Sequence, residues 1–102
     1  MGENIALVRE IKYSESGQLL AKIDGKWSYT LTFDVIGECR LDLKLKDSVT
    51  NKVISTLTPH NEFMGGSYKF PFVTINDGVL LYDFNGIGGG IITNIKVIKG
   101  AR

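Results

Sequence analysis

The sequence predicts an all-β fold, an antiparallel β-sandwich or barrel of about eight strands. Apolar and polar residues alternate with a period of two in most segments, which places one face of each strand in a core and the other in water. Turn-forming residues separate these segments, and no helical period is sustained over three turns. The chain of 102 residues is long enough for one domain with its own core.

The first two predicted strands occupy residues 5–13 and 18–24. The first is rich in aliphatic and charged side chains and has no helix cap, so a strand is favoured over a helix. The turn signal Ser14-Glu15-Ser16-Gly17 separates the two strands. The dipeptide Asp24-Gly25, which favours a tight turn, ends the second.

Residues 27–36 and 39–46 show the clearest alternation. The apolar positions of these two runs are Trp27, Tyr29, Leu31, Phe33, Val35, Cys39, Leu41, Leu43 and Leu45. Since the short segment Ile36-Gly37-Glu38 separates the runs, we predict an antiparallel hairpin with its turn there, buried on one face and solvated on the other.

The middle of the chain contains two further strands and a long loop. Residues 52–58 follow a polar turn and are rich in β-branched side chains, which predicts a strand. Residues 59–66 show no period and are predicted to form an exposed loop. Residues 67–74 alternate again, and Pro71 places this strand at a sheet edge or at a bulge because proline cannot donate to a ladder.

Residues 79–84 and 91–99 complete the predicted set of strands. The first is almost continuously apolar, as expected for a strand in a sandwich core. Residues 85–90 are predicted to form a glycine-rich loop between them. In the last strand, alternation places Ile92, Asn94, Lys96 and Ile98 on one face, opposite Ile91, Thr93, Ile95 and Val97.

Composition excludes several classes of partner. The net charge is only +1, and basic residues are interleaved with acidic ones, which argues against a nucleic-acid-binding protein. No apolar stretch approaches the ~20 residues that span a bilayer, so no membrane insertion is expected. Cys39 is the only cysteine, which precludes an intrachain disulfide and predicts a buried thiol. No secretory signal is visible, so synthesis in a cytoplasm is expected.

We find no catalytic or metal-binding constellation in the sequence and predict a protein that is not an enzyme and has no cofactor or metal. The glycines of residues 86–90 precede a strand rather than a helix, unlike a phosphate-binding loop. His60 is the only histidine and lacks the partners of a nucleophilic triad. Asp24, Asp34, Asp77 and Asp83 do not have the spacing of a calcium loop.

Aromatic residues are the remaining candidates for binding. Most of them lie on alternating strands and are predicted to be in the core. Trp27 follows a turn and Phe63 falls in the predicted loop, so their exposure would provide a surface for a sugar ring or a protein partner.

Four segments, at residues 28–35, 41–47, 68–72 and 92–97, each carry a short strand motif. Together these motifs resemble the jelly-roll carbohydrate-binding modules of the galactose-binding-like superfamily. The resemblance implies a jelly-roll sandwich. It does not imply the structural calcium of the family, because Thr93 replaces the acidic residue of the last strand.

The chain is also similar in style to the sandwich proteins of phage virions, since it is small, rich in glycine, close to neutral and free of disulfides. Our first hypothesis is therefore a non-enzymatic interaction module, a capsid decoration, head-fibre or tail-attachment protein located in the virion, or otherwise in the cytoplasm. Its partners would be virion proteins or further copies of itself, and residues 59–66 and 85–90 would supply the contacts.

The alternative hypothesis is a carbohydrate-binding module that uses exposed aromatic side chains. The candidate residues for binding a ligand or partner are Trp27, His60, Asn61, Glu62, Phe63, Tyr68, Asn85 and Gly88.

Overall fold

The computed structural model describes residues 3–57 and 62–100. Within these residues the chain forms five strands and no helix: β1 (Glu15–Ile23), β2 (Ser28–Asp47), β3 (Val53–Thr56), β4 (Glu62–Val73) and β5 (Gly78–Lys99). All pairings between these strands are antiparallel, in one sheet ordered β1-β5-β2-β3, with β4 also paired to β2. The predicted class is confirmed, but eight strands is too many. None of the described part forms a helix long and apolar enough to cross a membrane.

The long strands β2 and β5 each replace two predicted strands. β2 has 20 residues and continues through Gly37, so the predicted hairpin turn at residues 36–38 is wrong. β5 has 22 residues and includes residues 85–90, so the predicted glycine-rich loop is also wrong. Gly37 has a φ of +82°, a conformation that glycine adopts readily because it has no Cβ.

A bulge at the middle of the β2–β5 ladder explains both errors. Glu38 lies opposite Ile87, whereas Ile36 lies opposite Ile91, so β5 has two extra residues at this point. The two glycines at residues 88–89 have φ values of +61° and +84° and absorb this difference. A bulge bends a strand while alternation continues on both sides of it. The sequence therefore looks like two strands joined by a loop.

The bends fold the sheet over on itself and produce two facing layers. The first layer contains β1, β3, residues 38–47 of β2 and residues 78–87 of β5. The second layer contains residues 28–36 of β2, residues 91–99 of β5 and most of β4. The result is a sandwich in which the layers share their two longest strands.

The core lies between the two layers. A gap of only about 10 Å³ remains there, lined by side chains of both layers, such as Leu20 and Leu43 from the first and Leu31 and Ile95 from the second. This close packing is typical of protein interiors. The predicted alternation of β2 is confirmed, because the inward positions are all buried: Tyr29, Leu31, Phe33, Val35, Cys39, Leu41, Leu43 and Leu45.

The N-terminal segment, predicted to be a strand at residues 5–13, makes only isolated bridges. Asn4 and Ile11 each pair with β5, whereas the N–H of Leu7 donates to the carbonyl of Leu20 in β1 at 2.8 Å. Ile5, Arg9 and Ile11 also bond to β5 through their backbones, but the segment forms only isolated bridges and no continuous ladder.

The predicted exposed loop at residues 59–66 lies partly outside the described residues, which resume at Glu62. From there the chain is already in β4, and Phe63 is only 5% exposed, so this part of the loop prediction is wrong. The prediction that Pro71 lies at a sheet edge agrees with the structure. Among the strands of the described residues, β4 pairs only with β2 and therefore has one free edge.

Candidate functional site

Trp27, a predicted binding residue, is half-buried and packs against the core. The ammonium of Lys99 lies 4.3 Å from the centroid of its ring, a cation–π contact. Lys99 also donates to Asp24 Oδ2 at 2.6 Å, and this hydrogen bond raises the pKa of Lys99. The ring of Trp27 is therefore engaged within the protein.

Phe63 and Tyr68 belong to an aromatic cluster on the inward side of β4. Phe63 meets Tyr68 edge-on at 4.8 Å and Phe33 edge-on at 5.5 Å between ring centroids. Tyr68 is half-buried, stacks on Phe33 at 5.6 Å, and its hydroxyl donates to the carbonyl of Met64 at 2.6 Å. The buried position of Phe63 corrects its predicted exposure, since β4 begins at Glu62 and pairs Phe63 with the buried Cys39 of β2.

Glu62 and Asn85 are brought together on the outer face, where both lie opposite Arg40 on the strands that flank it. Arg40 Nη2 donates to Glu62 Oε1 at 3.0 Å. Arg40 and Asn85 line an open cleft of about 300 Å³. This ion pair is exposed, and such pairs contribute little to stability.

The remaining predicted site residues do not join this group. Gly88 lies at the bulge of β5 and is exposed. His60 and Asn61 lie outside the described residues. The eight predicted residues therefore form no single site in the described part of the chain.

A different site lies on the outer face of the second layer, in an open cleft of about 450 Å³ that we call the Asp34 cleft. Three paired strands form its floor, with β2 in the centre and β4 and β5 on either side. The outward side chains that line it are Thr32, Asp34, Ser67, Lys69, Asn94 and Lys96.

A bulge in β5 supplies one of these side chains. Thr32 lies opposite Lys96, but Asp34 lies opposite Thr93, so β5 has an extra residue between these two pairs. Asn94 is in this interval and has a φ of +52°, which asparagine tolerates better than most residues. Bulges re-aim side chains and occur often beside functional sites.

The same bulge overturns the predicted faces of the last strand. Ile92, Ile95 and Val97 are all buried, whereas Asn94 and Lys96 are exposed. The predicted grouping of Ile92 with Asn94 is wrong because the extra residue shifts the phase of the alternation by one.

Asp34 is held in place by hydrogen bonds from both flanking strands. Asn94 Nδ2 donates to one carboxylate oxygen at 2.8 Å, and Ser67 Oγ donates to the other at 2.7 Å. The bond from Asn94 and then the bond from Ser67 lower the pKa of Asp34, and the positive charge of Lys96 adds to this effect. The cleft therefore has a fixed, ionised carboxylate at its centre.

A second cleft, of about 390 Å³, lies between the N-terminal segment and β1. Tyr13 at its rim is 78% exposed. Beside it, the hydroxyl of Tyr82 donates to Glu15 Oε2 at 2.5 Å, and burial together with this bond raises the pKa of Tyr82. Tyr13 was not among the predicted binding residues, because it lies at the end of the predicted strand at residues 5–13.

The described residues contain no cluster of His, Cys, Asp and Glu side chains suited to holding a metal ion. Cys39 is a free and fully buried thiol, as predicted, and burial raises its pKa to about 11. A thiol with such a pKa is a poor nucleophile at neutral pH.

The fold is similar to that of carbohydrate-binding modules. One such structure, "BiXyn10A CBM1 APO", has a TM-score of 0.51 and 18% sequence identity, with 90% of this chain and 72% of that chain covered. No family model and no curated protein matches the sequence.

Two other similar structures have lower scores. The first contains the CBM22-1-GH10 modules of the endo-1,4-beta-D-xylanase 10B of Clostridium thermocellum complexed with xylohexaose, with a TM-score of 0.48, 14% identity and coverage of 91% of this chain and 22% of that chain. The second is the carbohydrate binding module CBM6cm-2 of Cellvibrio mixtus lichenase 5A in complex with cellotriose, with a TM-score of 0.42, 14% identity and coverage of 98% and 86%.

Proposed function

We propose that this chain is a non-catalytic carbohydrate-binding module and that the Asp34 cleft holds the glycan. The observation that carries the proposal is the row formed by Ser67, Asp34 and Asn94, which joins three adjacent strands through two hydrogen bonds. A site built on paired strands holds its polar groups more rigidly than a site on loops. The likeness of the fold to that of carbohydrate-binding modules supports the same function.

The row of Ser67, Asp34 and Asn94 is chemically complementary to a sugar hydroxyl. An ionised carboxylate has about four lone-pair sites, and Asp34 accepts two hydrogen bonds from Ser67 and Asn94, so further sites remain for a ligand. Hydrogen bonds to an ionised acceptor are roughly twice as strong as neutral ones. The carbonyl oxygen of Asn94 and the hydroxyl of Thr32 add an acceptor and a donor.

The Asp34 cleft is preferred to the cleft beside Tyr13 because of this rigidity. The segment that carries Tyr13 makes only isolated bridges, and the exposed ring has no fixed partner for orientation among the described contacts. Tyr13 nevertheless offers an aromatic face, so an experiment on glycan binding should separate the two clefts.

The experiment is an affinity-electrophoresis survey of soluble polysaccharides, followed by calorimetry with oligosaccharides of any that bind. We expect the wild-type protein to bind at least one glycan and Asp34→Ala to weaken this binding about tenfold or more, since the variant loses a charged hydrogen-bond acceptor. Asp42→Ala is the matched control, because Asp42 is an aspartate of the same strand on the outer face of the first layer.

Unchanged binding by Asp34→Ala together with loss in Tyr13→Ala would move the site to the other cleft. Failure of the folded wild-type protein to bind any polysaccharide would refute the proposed function itself.

The hypothesis of a virion module stays a prediction without support from the similar structures. Two segments were expected to supply its contacts as loops. Residues 85–90 are instead part of β5, and the described part of residues 59–66 is part of β4.

A further inference from the structure

Two lysines flank the centre of the Asp34 cleft in the same register. Thr32 lies opposite Lys69 on β4 and opposite Lys96 on β5. Since neighbouring strands lie about 4.8 Å apart, the Cα atoms of the two lysines are separated by about 10 Å across the cleft. Flexible side chains of this length, starting from either side, are able to reach one acidic group held above Thr32.

Neither lysine is neutralised by an ion pair. Four ion pairs occur among the described residues, and Lys69 and Lys96 take part in none of them. Both side chains are exposed. With Asp34, these two residues give the cleft a net charge of +1. The two positive charges lie in the row of Thr32, and the negative charge lies in the row of Asp34.

The neighbouring row limits the kind of anion that fits. Asp34 lies two residues from Thr32 on the same strand, about 7 Å away, and its carboxylate is ionised. A second negative group of the ligand placed over that row would be repelled, whereas a hydroxyl would be accepted. A chain that carries a charge on every short repeat, such as polyphosphate or nucleic acid, is therefore disfavoured.

The row on the other side of Thr32 is less polar. Thr30 lies there between the exposed ring of Pro71 on β4 and the half-buried Ile98 on β5. This surface suits the C–H groups of a sugar ring. The outer face of the second layer thus presents an acceptor row and a cationic row within the Asp34 cleft and an apolar row beside it.

We propose that the Asp34 cleft selects acidic glycans, with the carboxylate of a uronic acid between Lys69 and Lys96 and a hydroxyl on Asp34. The inference rests on the proposed function and adds the class of sugar to it. A sulfated sugar also carries an acidic group that two lysines could bind. The experiment must therefore distinguish sulfate from carboxylate.

The test compares a tetrasaccharide that carries a single uronic acid with the methyl ester of the same compound, which has the same backbone and no charge, by calorimetry on the full chain. We expect the acid to bind about tenfold or more tighter than the ester at low salt, and this ratio to shrink as the salt concentration rises and screens exposed charges. A sulfated tetrasaccharide and tripolyphosphate serve as the other anionic probes.

The lysine variants separate the charge from the rest of the site. Lys69→Met and Lys96→Met should each reduce the preference for the acid about threefold to tenfold, and the double variant should abolish it, so that acid and ester bind equally well. Lys22→Met is the matched control, since Lys22 is an exposed lysine of β1 in the first layer. It should leave the preference unchanged.

The outcomes distinguish this inference from the proposed function. Equal binding of acid and ester, or a preference that survives in the double variant, would overturn the inference and leave glycan binding intact. Tighter binding of the sulfated sugar would assign the lysines to sulfate instead of carboxylate, and tighter binding of tripolyphosphate would make the cleft a general anion site. Both results would refute uronate selection.

If neither the acid nor the ester binds while other polysaccharides bind in the survey, uronate selection is refuted as well. If no polysaccharide binds in the whole survey, the proposed function itself is refuted.

Discussion

A single methyl group added at Gly90 tests the folded sheet directly. A Cβ at this position would overlap the carbonyl oxygen of Glu38 and would lie 2.6 Å from its carbonyl carbon and 2.8 Å from its amide nitrogen. These are backbone atoms of β2, so no side chain is able to move aside. The two strand backbones would have to separate by about an ångström at the bend.

The expected loss is at the upper end of what overpacking causes. Inserting a methylene group into a close-packed interior typically costs about 1–3 kcal/mol, and a clash with three backbone atoms of Glu38 places Gly90→Ala at about 3 kcal/mol or more. A domain of this size has a free energy of unfolding of about 5–15 kcal/mol. With a urea slope of about 1–3 kcal/mol per molar, the midpoint of unfolding should fall by about 1–3 M.

Gly88→Ala is the matched control. Gly88 has a φ of +61°, but a Cβ there would meet no atom within 4 Å. Only the left-handed conformation is penalised, by about 1–2 kcal/mol. If Gly90→Ala does not fold, Gly86→Ala tests the bend within β5 itself, because its Cβ would lie 2.6 Å from the carbonyl oxygen of Gly90.

Urea denaturation followed by circular dichroism measures all three variants. We expect the free energy of unfolding to decrease from wild type to Gly88→Ala, then Gly86→Ala, then Gly90→Ala. A Gly90→Ala protein within about 1 kcal/mol of wild type, or no less stable than Gly88→Ala, would show that β2 and β5 do not approach closely at the bend.

Three further predictions concern single residues. Phe63→Ala should lose about 3–5 kcal/mol of stability because Phe63 is buried. Met64→Ala, at a position 68% exposed, should change the stability by about 0.5 kcal/mol or less. Equal losses in urea denaturation would contradict the start of β4 at Glu62. Cys39 should not react with a thiol reagent at pH 8 until the protein is unfolded, and rapid labelling of the native protein would contradict its burial. The pKa of Asp47 is lowered by backbone hydrogen bonds from Thr50 and Val49, so its stabilising effect should be present above the ordinary value of 3.8 and be lost as the pH falls through the lowered pKa. The stability difference between wild type and Asp47→Asn should therefore shrink in acid, and a difference independent of pH would refute the assignment.

The local pattern of apolar and polar residues was sufficient to predict the all-β class and the inward positions of β2. Side chains of a strand alternate whatever the strand pairs with, so the buried set from Tyr29 to Leu45 was visible in the sequence. The course of the chain beyond Ile36 was not visible, since a hairpin and a bent strand have the same pattern. The difference depends on whether β2 pairs with itself or with β5, about fifty residues away.

The candidate site shows the same limit more sharply. Alternation alone placed Asp34 on the wet face of β2, but its partners Ser67 and Asn94 are 33 and 60 residues away in the chain. The outward position of Asn94 depends on a bulge that no local pattern reveals. The aromatic residues favoured by sequence analysis are instead used largely by the protein's own packing.

The glycine pair at residues 88–89 also has a practical consequence. Both glycines are exposed, and added side-chain atoms there would meet nothing within 4 Å, while the ladder resumes at Ile87 and Ile91. A short peptide inserted between them would therefore leave the hydrogen bonds on either side undisturbed. This position offers a point for tethering the protein to a support or displaying an epitope.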